Sequence, residues 1–182
     1  MCSSDLLGEL LLPALRAGTV AVVNAFGTGV ADDKQVLPYV DDLVRWACGE
    51  EPLLRSIPVA RTREALADLR EHVVKPRSGS GGYGVVIGPM ASDAELAAAR
   101  EALERDPGEL IVQEAVHLSV HPTHVDGRLV PRHVDLRPFV LCGGGTVEVL
   151  PGGLSRVALT EGDLVVNCSQ GGGGKDVWVL DG

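Results

Sequence analysis

The chain has 182 residues, of which 45% are hydrophobic and 23% charged, and its formal net charge is −9. This length and composition predict a globular chain with one ordinary domain or two small lobes, and they exclude an intrinsically disordered protein. The acidic balance argues against a nucleic-acid or anionic-membrane surface, because both favour basic patches, but it leaves room for a local cationic pocket that binds phosphate.

The front of the chain predicts two helices with a strand between them. Residues 5–17 have helical periodicity, and the β-branched run at 19–23 predicts a buried strand. A polar, glycine-bearing loop, NAFGTGVADDK, follows and could line a ligand cleft. The apolar spacing of 35–48 predicts a helix that stops at Gly49, and IPVA, residues 57–60, is a candidate strand.

The middle of the chain alternates helices with strands. The segment TREALADLREH predicts a helix with Thr62 as its N-cap, followed by a strand at 73–75. A glycine-rich loop leads to a strand at 85–88, and Ser92 caps the helix DAELAAAREALERD. The run ELIVQEAV is the next predicted strand.

The back of the chain is rich in short strands that glycine turns separate. The candidates are 128–141, 146–150, 154–159, 163–167 and 177–180. Helices and strands at the front, with strands at the back, predict an α/β (α+β) fold.

Cysteine usage and hydropathy indicate a cytoplasmic protein. Cys2, Cys48, Cys142 and Cys168 form no CxxC pair, which argues against a zinc site and suggests reduced thiols. The sequence of Cys168 offers no evident base partner, so a catalytic thiol is disfavoured. We find no signal peptide, and the apolar run LLGELLLPAL is too short to span a bilayer.

The stretch VVKPRSGSGGYGVVIG, residues 73–88, is the strongest candidate for chemistry. Gly79, Gly81 and Gly84 spell GxGxxG, but a strand follows them instead of the helix of a dinucleotide-binding fold, and no P-loop motif is present. A glycine hairpin can fold over nucleotide phosphates, and Lys75 would place an ammonium group beside them. The alternative is a flexible turn with a solvated lysine.

Two other strand segments carry polar side chains. Gln113 and Glu114 close an apolar strand, where they could contact the ribose and adenine of a nucleotide or simply be solvated. In PRHVDLRPFV, strand alternation places His133, Asp135 and Arg137 on one face, with Arg132 alternating with them. That acid among cations could orient a phosphate-binding arginine or form a structural salt bridge.

Two further clusters admit competing interpretations. The run LVVNCSQGGGGKD leads through four glycines to Lys175 and Asp176, which suggests a mobile loop over a ligand or a surface linker. His117, His121 and His124 lie close together, but no acid completes a ligand set, so we disfavour metal binding there.

Several of these stretches together resemble the circularly permuted ATP-grasp family, a relative of glutathione synthetase and glutathionylspermidine synthetase. The resemblance covers nearly the whole chain from about Asp5, in the family's order. The motifs that carry it are NAFGTGVADDK, GEEPLL, VVKPRSGSGGYG, IVQEAVHLS, PRHVDLRPFV, PGGLSRVAL and LVVNCSQGGGGKDVWVL. It implies an ATP-grasp fold of two small α/β lobes with mixed or antiparallel sheets, which hold ATP between them.

The resemblance also implies roles for individual residues. Lys75 matches the lysine that contacts ATP phosphates, and Gln113 and Glu114 match the segment that holds adenine and ribose. The loop that closes over the phosphates corresponds to Gly79, Ser80, Gly81, Gly82, Tyr83 and Gly84. Arg137 and Arg156 match positions expected near the transferred phosphate or the acyl phosphate. A family signature that we assign to the active-site cleft corresponds to Asn167 and glycines 171–174 with Lys175.

The implied reaction is ATP-dependent ligation of a small carboxylate and an amine or peptide through an acyl phosphate, with Mg²⁺ as the metal. Family members are longer and carry an acidic stretch at the front, so we expect this chain to be a truncated or split form that is inactive alone. The metal ligands would then belong to that front segment. In a split form, that segment would be a separate partner polypeptide. We expect 1–58 to be a remnant of the substrate lobe, 59–116 the lid lobe and 117–182 the β-rich core portion.

Two other functions remain open at this point. The chain could be a non-catalytic nucleotide-binding or scaffold module. A kinase-like phosphotransferase is suggested by the glycine hairpin alone, and the sequence contains no HRDxxxxN or DFG element.

Overall fold

A computed structural model describes most of the chain, in two compact units. The described residues are 3–23, 27–79, 82–164, 166 and 172–180, with the backbone alone for 3–7. The first unit comprises Met1–Val59 and the second Ala60–Gly182. The predicted Ser80, Gly81, Asn167 and Gly171, together with Cys2 and Cys168, lie outside the described residues.

The first unit is helical. Its elements are α1 (Ser3–Arg16), α2 (Gly29–Asp32), a 3₁₀ helix (Lys34–Tyr39) and α3 (Val40–Cys48). Gly49 ends α3 with a left-handed φ of 70°, and its N–H donates to the carbonyl of Arg45. The helix stop predicted at Gly49 is therefore confirmed.

The strand predicted at 19–23 is wrong. These residues follow α1 without joining a sheet: the backbone N–H and hydroxyl of Thr19 donate to the carbonyl of Ala14, and Val23 is 93% exposed. A β-branched run forms a strand only where another strand supplies its hydrogen bonds. In IPVA, only Val59 takes part in an isolated bridge.

The second unit begins with a three-stranded antiparallel sheet backed by helices. The strands are β1 (His72–Pro76), β2 (Val86–Ile87) and β3 (Leu110–Glu114), in the order β2-β1-β3. The helices are α4 (Thr62–Ala65), α5 (Asp93–Arg105) and two 3₁₀ turns, Leu69–Glu71 and Gly88–Met90. The predicted hairpin on either side of the glycine loop is confirmed by the β1–β2 pairing.

Helix capping and apolar packing explain this first sheet. Ser92 and Glu95 form a reciprocal capping box at the start of α5, which confirms the predicted cap. The long helix predicted from Thr62 is wrong in length, because the chain breaks into α4 and a 3₁₀ turn, and Arg61 instead of Thr62 occupies the N-cap position. The core lies between these helices and one face of the sheet and contains Ala65, Leu69, Val74, Ala99, Leu103 and Val112.

A four-stranded antiparallel sheet completes the second unit. Its strands are β4 (Val120–Val125), β5 (Arg128–Gly143), β6 (Thr146–Val157) and β7 (Gly173–Trp178), paired in chain order. The pairing of β5 with β6 shifts register between Pro138 and Val140, and the sheet is curled into a half-barrel. With two antiparallel sheets and flanking helices, the predicted α/β (α+β) class is confirmed.

The boundaries of this sheet differ from the prediction in several places. The sequence did not indicate β4, and the two strands predicted within 146–159 are one continuous β6. β7 begins at Gly173, so Gly173 and Gly174 belong to a strand and not to a loop. The described residues of 163–167 form no strand.

The far end of the β5–β6 hairpin has an exposed apolar face. Register pairs Val140 with Val149 and Cys142 with Val147, so these four side chains share one face. Val147 is 70% exposed and Val149 is 63% exposed. Among the described residues, no helix is long and apolar enough to cross a membrane.

Candidate functional site

Lys75 lies on β1 with its ammonium group held against β3. Register pairs Val73 with Gln113, and Lys75 with Ile111, so Lys75 and Gln113 are diagonal neighbours on one face of the sheet. The Nζ of Lys75 donates a hydrogen bond to Oε1 of Gln113 at 2.7 Å. Gln113 is 4% exposed, so a buried amide oxygen fixes the direction of this half-buried lysine.

The two faces of this first sheet are chemically different. Val74 and Val112 are cross-strand partners and pack in the core on the helical side. Lys75 and Gln113 occupy the other face, because successive side chains of a strand alternate. Glu114 is exposed and pairs with His72 on the helical side, so the structure joins Lys75 with Gln113 but separates Glu114 from them.

The described residues of the loop after Lys75 include three glycines with positive φ. Gly84 has a φ of +70°, and a Cβ there would lie 3.0 Å from Cγ of Pro76. A side chain at this position would meet both backbone strain and a steric contact, so the sequence requires glycine. Gly79 and Gly82 also have positive φ, and Tyr83 is 71% exposed. The described part of the predicted loop therefore reaches solvent at the end of β1.

A small apolar pocket lies under the hairpin but on the helical side of the sheet. Its volume is about 240 Å³, and its lining residues include Val74, Gly84 and Val86 from the sheet side and Ala98 and Ala102 from α5. Val74 and Lys75 are neighbours on β1 and therefore point to opposite faces. This pocket is thus separate from the ammonium group of Lys75.

A second charged arrangement lies on β5 and β6. Asp135 and Arg156 are directly paired across the strands. Oδ2 of Asp135 accepts from Nε of Arg156 at 2.8 Å and from its Nη2, and Oδ1 accepts from the Arg156 backbone N–H at 3.1 Å. Burial raises the pKa of Asp135, but the hydrogen bonds and charge of Arg156 outweigh burial, so the pKa lies below its usual value.

Arg137 is the more accessible of the two predicted arginines. Its Nε lies 3.9 Å from Oδ2 of Asp135, and 51% of its side chain is exposed, against 18% for Arg156. Arg156 is thus neutralised by a well-aligned carboxylate, while Arg137 makes a long contact with the same group. Of the cations predicted around Asp135, Arg137 contacts it, whereas Arg132 and His133 lie against backbone carbonyl groups.

Lys175 lies on the other face of this sheet. β6 and β7 pair Ser155 with Lys175 and Arg156 with Gly174, so Lys175 and Arg156 point to opposite faces. The Nζ of Lys175 donates to the carbonyl of Pro122 at 2.6 Å and lies 3.0 Å from Nδ1 of His121. The structure therefore brings Lys175 to β4 and not to the pair of arginines.

Two polar contacts in the structure could not be predicted from the sequence. One is the Lys75–Gln113 hydrogen bond, which depends on strand register. The other involves Arg132, which is 9% exposed and donates from Nε to the carbonyl of Leu159 at 2.9 Å and from Nη1 to that of Pro131 at 2.8 Å. Both acceptors of Arg132 are backbone groups, which indicates a structural role.

The described residues contain no group of three or more His, Cys, Asp or Glu side chains that could hold a metal ion. This includes the region of His117, His121 and His124. Asp135, the acid that Arg137 contacts, is engaged by Arg156.

Comparison with known proteins identifies relatives along almost the whole chain. The family model described as “Circularly permuted ATP-grasp type 2” matches residues 3–158. An uncharacterized protein of Mycobacterium tuberculosis is 51% identical over 176 residues, which cover 93% of this chain and 32% of that protein. An uncharacterized protein of Synechocystis is 46% identical over 178 residues, which cover 94% of this chain and 37% of that protein.

A relative with a functional name is also similar. A protein of Frankia alni named “Putative glutamate--cysteine ligase 2-3” is 49% identical over 179 residues. The match covers 95% of this chain but 21% of that protein. The chain thus spans about a third or less of the length of most of these relatives, and the ligase name describes a much longer polypeptide.

Proposed function

Because the chain belongs to the circularly permuted ATP-grasp type 2 family, we propose that it is the ATP-binding portion of a carboxylate–amine ligase. The observation that carries the proposal is the ammonium group of Lys75, held at 2.7 Å from Gln113 directly before the glycine hairpin. A cation at the foot of a glycine loop with exposed backbone is suited to the phosphates of a nucleotide.

The proposed reaction has two steps. A carboxylate oxygen of the substrate attacks the γ-phosphorus of ATP, which breaks the bond to the bridging oxygen and releases ADP. The amine then attacks the acyl carbon, phosphate leaves, and the amine loses a proton as the amide forms. Lys75 and Arg137 would balance negative charge on the phosphates, and Arg156 would hold Asp135, the acid that Arg137 also contacts.

The proposal divides the complete active site between this chain and additional polypeptide. The relatives contain long segments beyond the matched part, which covers 32% of the mycobacterial protein. We place the Mg²⁺ ligands and part of the substrate site in such a segment. The isolated chain would then bind nucleotide without completing ligation.

A non-catalytic nucleotide-binding or scaffold module is the alternative function. The half-exposed side chain of Arg137 favours the ligase, because a scaffold needs no second accessible cation. Supplying the additional segment of a relative in trans and measuring ADP release separates the two functions. ADP release that requires both a carboxylate and an amine supports the ligase, and nucleotide binding without any turnover supports the module.

The direct test is nucleotide affinity of the Lys75→Met variant. We expect ATP affinity to fall roughly 10- to 100-fold, because a hydrogen bond to a charged group is worth about 1.5–3 kcal/mol. Calorimetric titration of the purified chain with ATP measures the change. The matched control is Lys34→Met, which removes the same charge from the other compact unit. Unchanged ATP affinity in Lys75→Met would refute the phosphate role.

A further inference from the structure

A lysine side chain joins the two edge strands of the second sheet. The strand order is β4-β5-β6-β7, so β4 and β7 are the edges and two strands lie between them. The Nζ of Lys175, on β7, donates to the carbonyl of Pro122, on β4, at 2.6 Å. The same Nζ lies 3.0 Å from Nδ1 of His121, also on β4. Lys175, His121 and the Pro122 carbonyl together form a clasp between the edges.

Strand register shows that the clasp requires a strongly curled sheet. Register pairs Lys175 with Ser155, and Ser155 with Leu136 on β5. It pairs His121 with Arg132, four residues away on the same strand, so Lys175 and His121 share one face. In a flat sheet the two edges would lie about 14 Å apart, and the offset along β5 would add roughly 13 Å at right angles to that. A lysine cannot reach so far, so the clasp exists only while the half-barrel is curled.

Hydrogen-bond chemistry decides which form of the imidazole fits the clasp. An ammonium group only donates, so Nδ1 of His121 accepts from Lys175 only when it carries a lone pair. Nδ1 also lies 2.9 Å from the carbonyl oxygen of Pro122, which only accepts. A hydrogen on Nδ1 would turn toward that oxygen and compete with Lys175 for it. The clasp is therefore complete when His121 is neutral and carries its hydrogen on Nε2.

The charges around the clasp also oppose a proton on its imidazole. The charged side chains that β5 places on this face are Arg132 and Arg128, by strand alternation. Arg132 is 9% exposed, and its guanidinium donates to backbone carbonyls. Asp135 on β5 and Asp176 on β7 alternate to the opposite face. Protonation of the imidazole would therefore add a positive charge to a face that already carries the ammonium group and a buried guanidinium.

We propose that the clasp holds the half-barrel curled and that protonation of His121 releases it. The proton comes from solvent and takes the Nδ1 lone pair that accepted from Lys175. The new N–H donates to the Pro122 oxygen, and Lys175 keeps its hydrogens and turns to solvent. Because the closed form accommodates this proton poorly, falling pH shifts the sheet toward a more open form. No nucleotide takes part, so the inference is independent of the proposed function.

The first experiment examines the wild-type chain by NMR. ¹⁵N spectra of histidine rings show which ring nitrogen carries hydrogen, and the signal missing in His121→Gln identifies His121 among the five histidines. At pH 8 we expect hydrogen on Nε2 and none on Nδ1. As the pH falls to 5, carbon-detected spectra should show the Lys175 Nζ signal moving in step with the His121 ring. A hydrogen on Nδ1 at pH 8, or a Lys175 signal that does not move, would overturn the inference.

The second experiment measures amide hydrogen exchange in β7, corrected for the intrinsic effect of pH. Protection of the wild-type strand should fall about fivefold from pH 8 to pH 5. Lys175→Met should have the low protection at both pH values. His121→Gln keeps an acceptor for Lys175 that does not titrate, so its protection should stay high. His124→Gln, on the same strand but the opposite face, is the matched control and should behave as the wild type does.

Each remaining outcome contradicts one part of the inference. Full β7 protection in Lys175→Met at pH 8 would show that the clasp does not hold the sheet. A fall in His121→Gln as large as in the wild type would show that another group responds to pH. An equal fall in the amides of β3 would indicate a general loss of stability and no release of the clasp. If Lys175→Met does not fold, the wild-type spectra and His121→Gln still decide.

Discussion

The two sheets of the second unit hold a cation in opposite ways. In the first sheet, Lys75 donates to the neutral amide of Gln113 at 2.7 Å. In the second sheet, Arg156 donates to the carboxylate of Asp135 through Nε at 2.8 Å and through Nη2. The first bond joins the cation to a neutral group, and the second joins it to an opposite charge. A cationic residue type alone therefore does not show which strand presents charge to a ligand.

The hairpins of the two sheets also differ in packing. Gly88 directly follows β2 of the first hairpin. A Cβ at Gly88 would lie 1.9 Å from the carbonyl oxygen of Leu69 and 2.5 Å from that of His72. At the end of the β5–β6 hairpin, a Cβ on Gly143 would meet nothing within 4 Å. The first hairpin is fixed to the helices beside it, whereas the second has room around its tip.

The largest effect should come from filling the tight contact at Gly88. Gly88→Ala forces a methyl group into two backbone carbonyls, so we expect a loss of about 3 kcal/mol or more of unfolding free energy. Urea denaturation followed by circular dichroism measures the loss. Gly143→Ala is the matched control and should change stability little; equal losses in both variants would remove the contrast between the hairpins.

The next effect should come from leaving the Asp135 carboxylate without its partner. Arg156→Met removes the hydrogen bonds that offset the partial burial of this acid, whose side chain is 21% exposed. We expect a loss of about 2 kcal/mol of unfolding free energy at neutral pH. Thermal and urea unfolding measure it, and a loss no larger than that of Lys75→Met would contradict the proposed difference between the two cations.

Low pH should abolish the loss of stability caused by Arg156→Met. The folded-state pKa of Asp135 lies below the ordinary value of 3.8, so Arg156 stabilises the fold fully above that value. The stabilisation is lost as pH falls through the lowered pKa and the carboxyl group becomes neutral. We expect the stability difference between wild type and Arg156→Met to shrink below about pH 4. A difference that stays constant from pH 7 to pH 2 would exclude this origin.

The smallest effect on stability should come from Lys75→Met. This change leaves Oε1 of Gln113 without the donor seen in the structure, so we expect a loss of about 1 kcal/mol. The same variant should show a large loss of ATP affinity. A small stability change with a large binding change would identify Lys75 as a ligand-binding residue; the reverse pattern would make it structural.

Local sequence patterns were sufficient where the structure depends on neighbouring residues. The hairpin around the glycine loop, the cap at Ser92 and the shared face of Asp135 and Arg137 followed from turn residues, capping chemistry and strand alternation. Local patterns fail at residues 19–23, because the β-branched residues there favour a strand but join no sheet.

Contacts that depend on the pairing of distant strands could not be predicted from sequence. Lys75 and Gln113 are 38 positions apart, and only the β1–β3 register makes them diagonal neighbours. The face on which Lys175 lies depends on the β6–β7 register, and the strand predicted at 177–180 missed the first part of β7, which begins at Gly173 and Gly174. Glycine weakens the strand signal although the backbone can still pair.

The two ladders that flank β1 have unequal lengths. β1 shares five residue pairs with β3 but two with β2, at Val73–Ile87 and Val74–Val86. Detaching β2 therefore breaks far fewer backbone bonds than detaching β3, and the amide protons of β2 should exchange with solvent sooner than those of β3. Lys75 itself pairs with Ile111 of β3 and lies beyond the two pairs with β2, so its backbone is held from the β3 side.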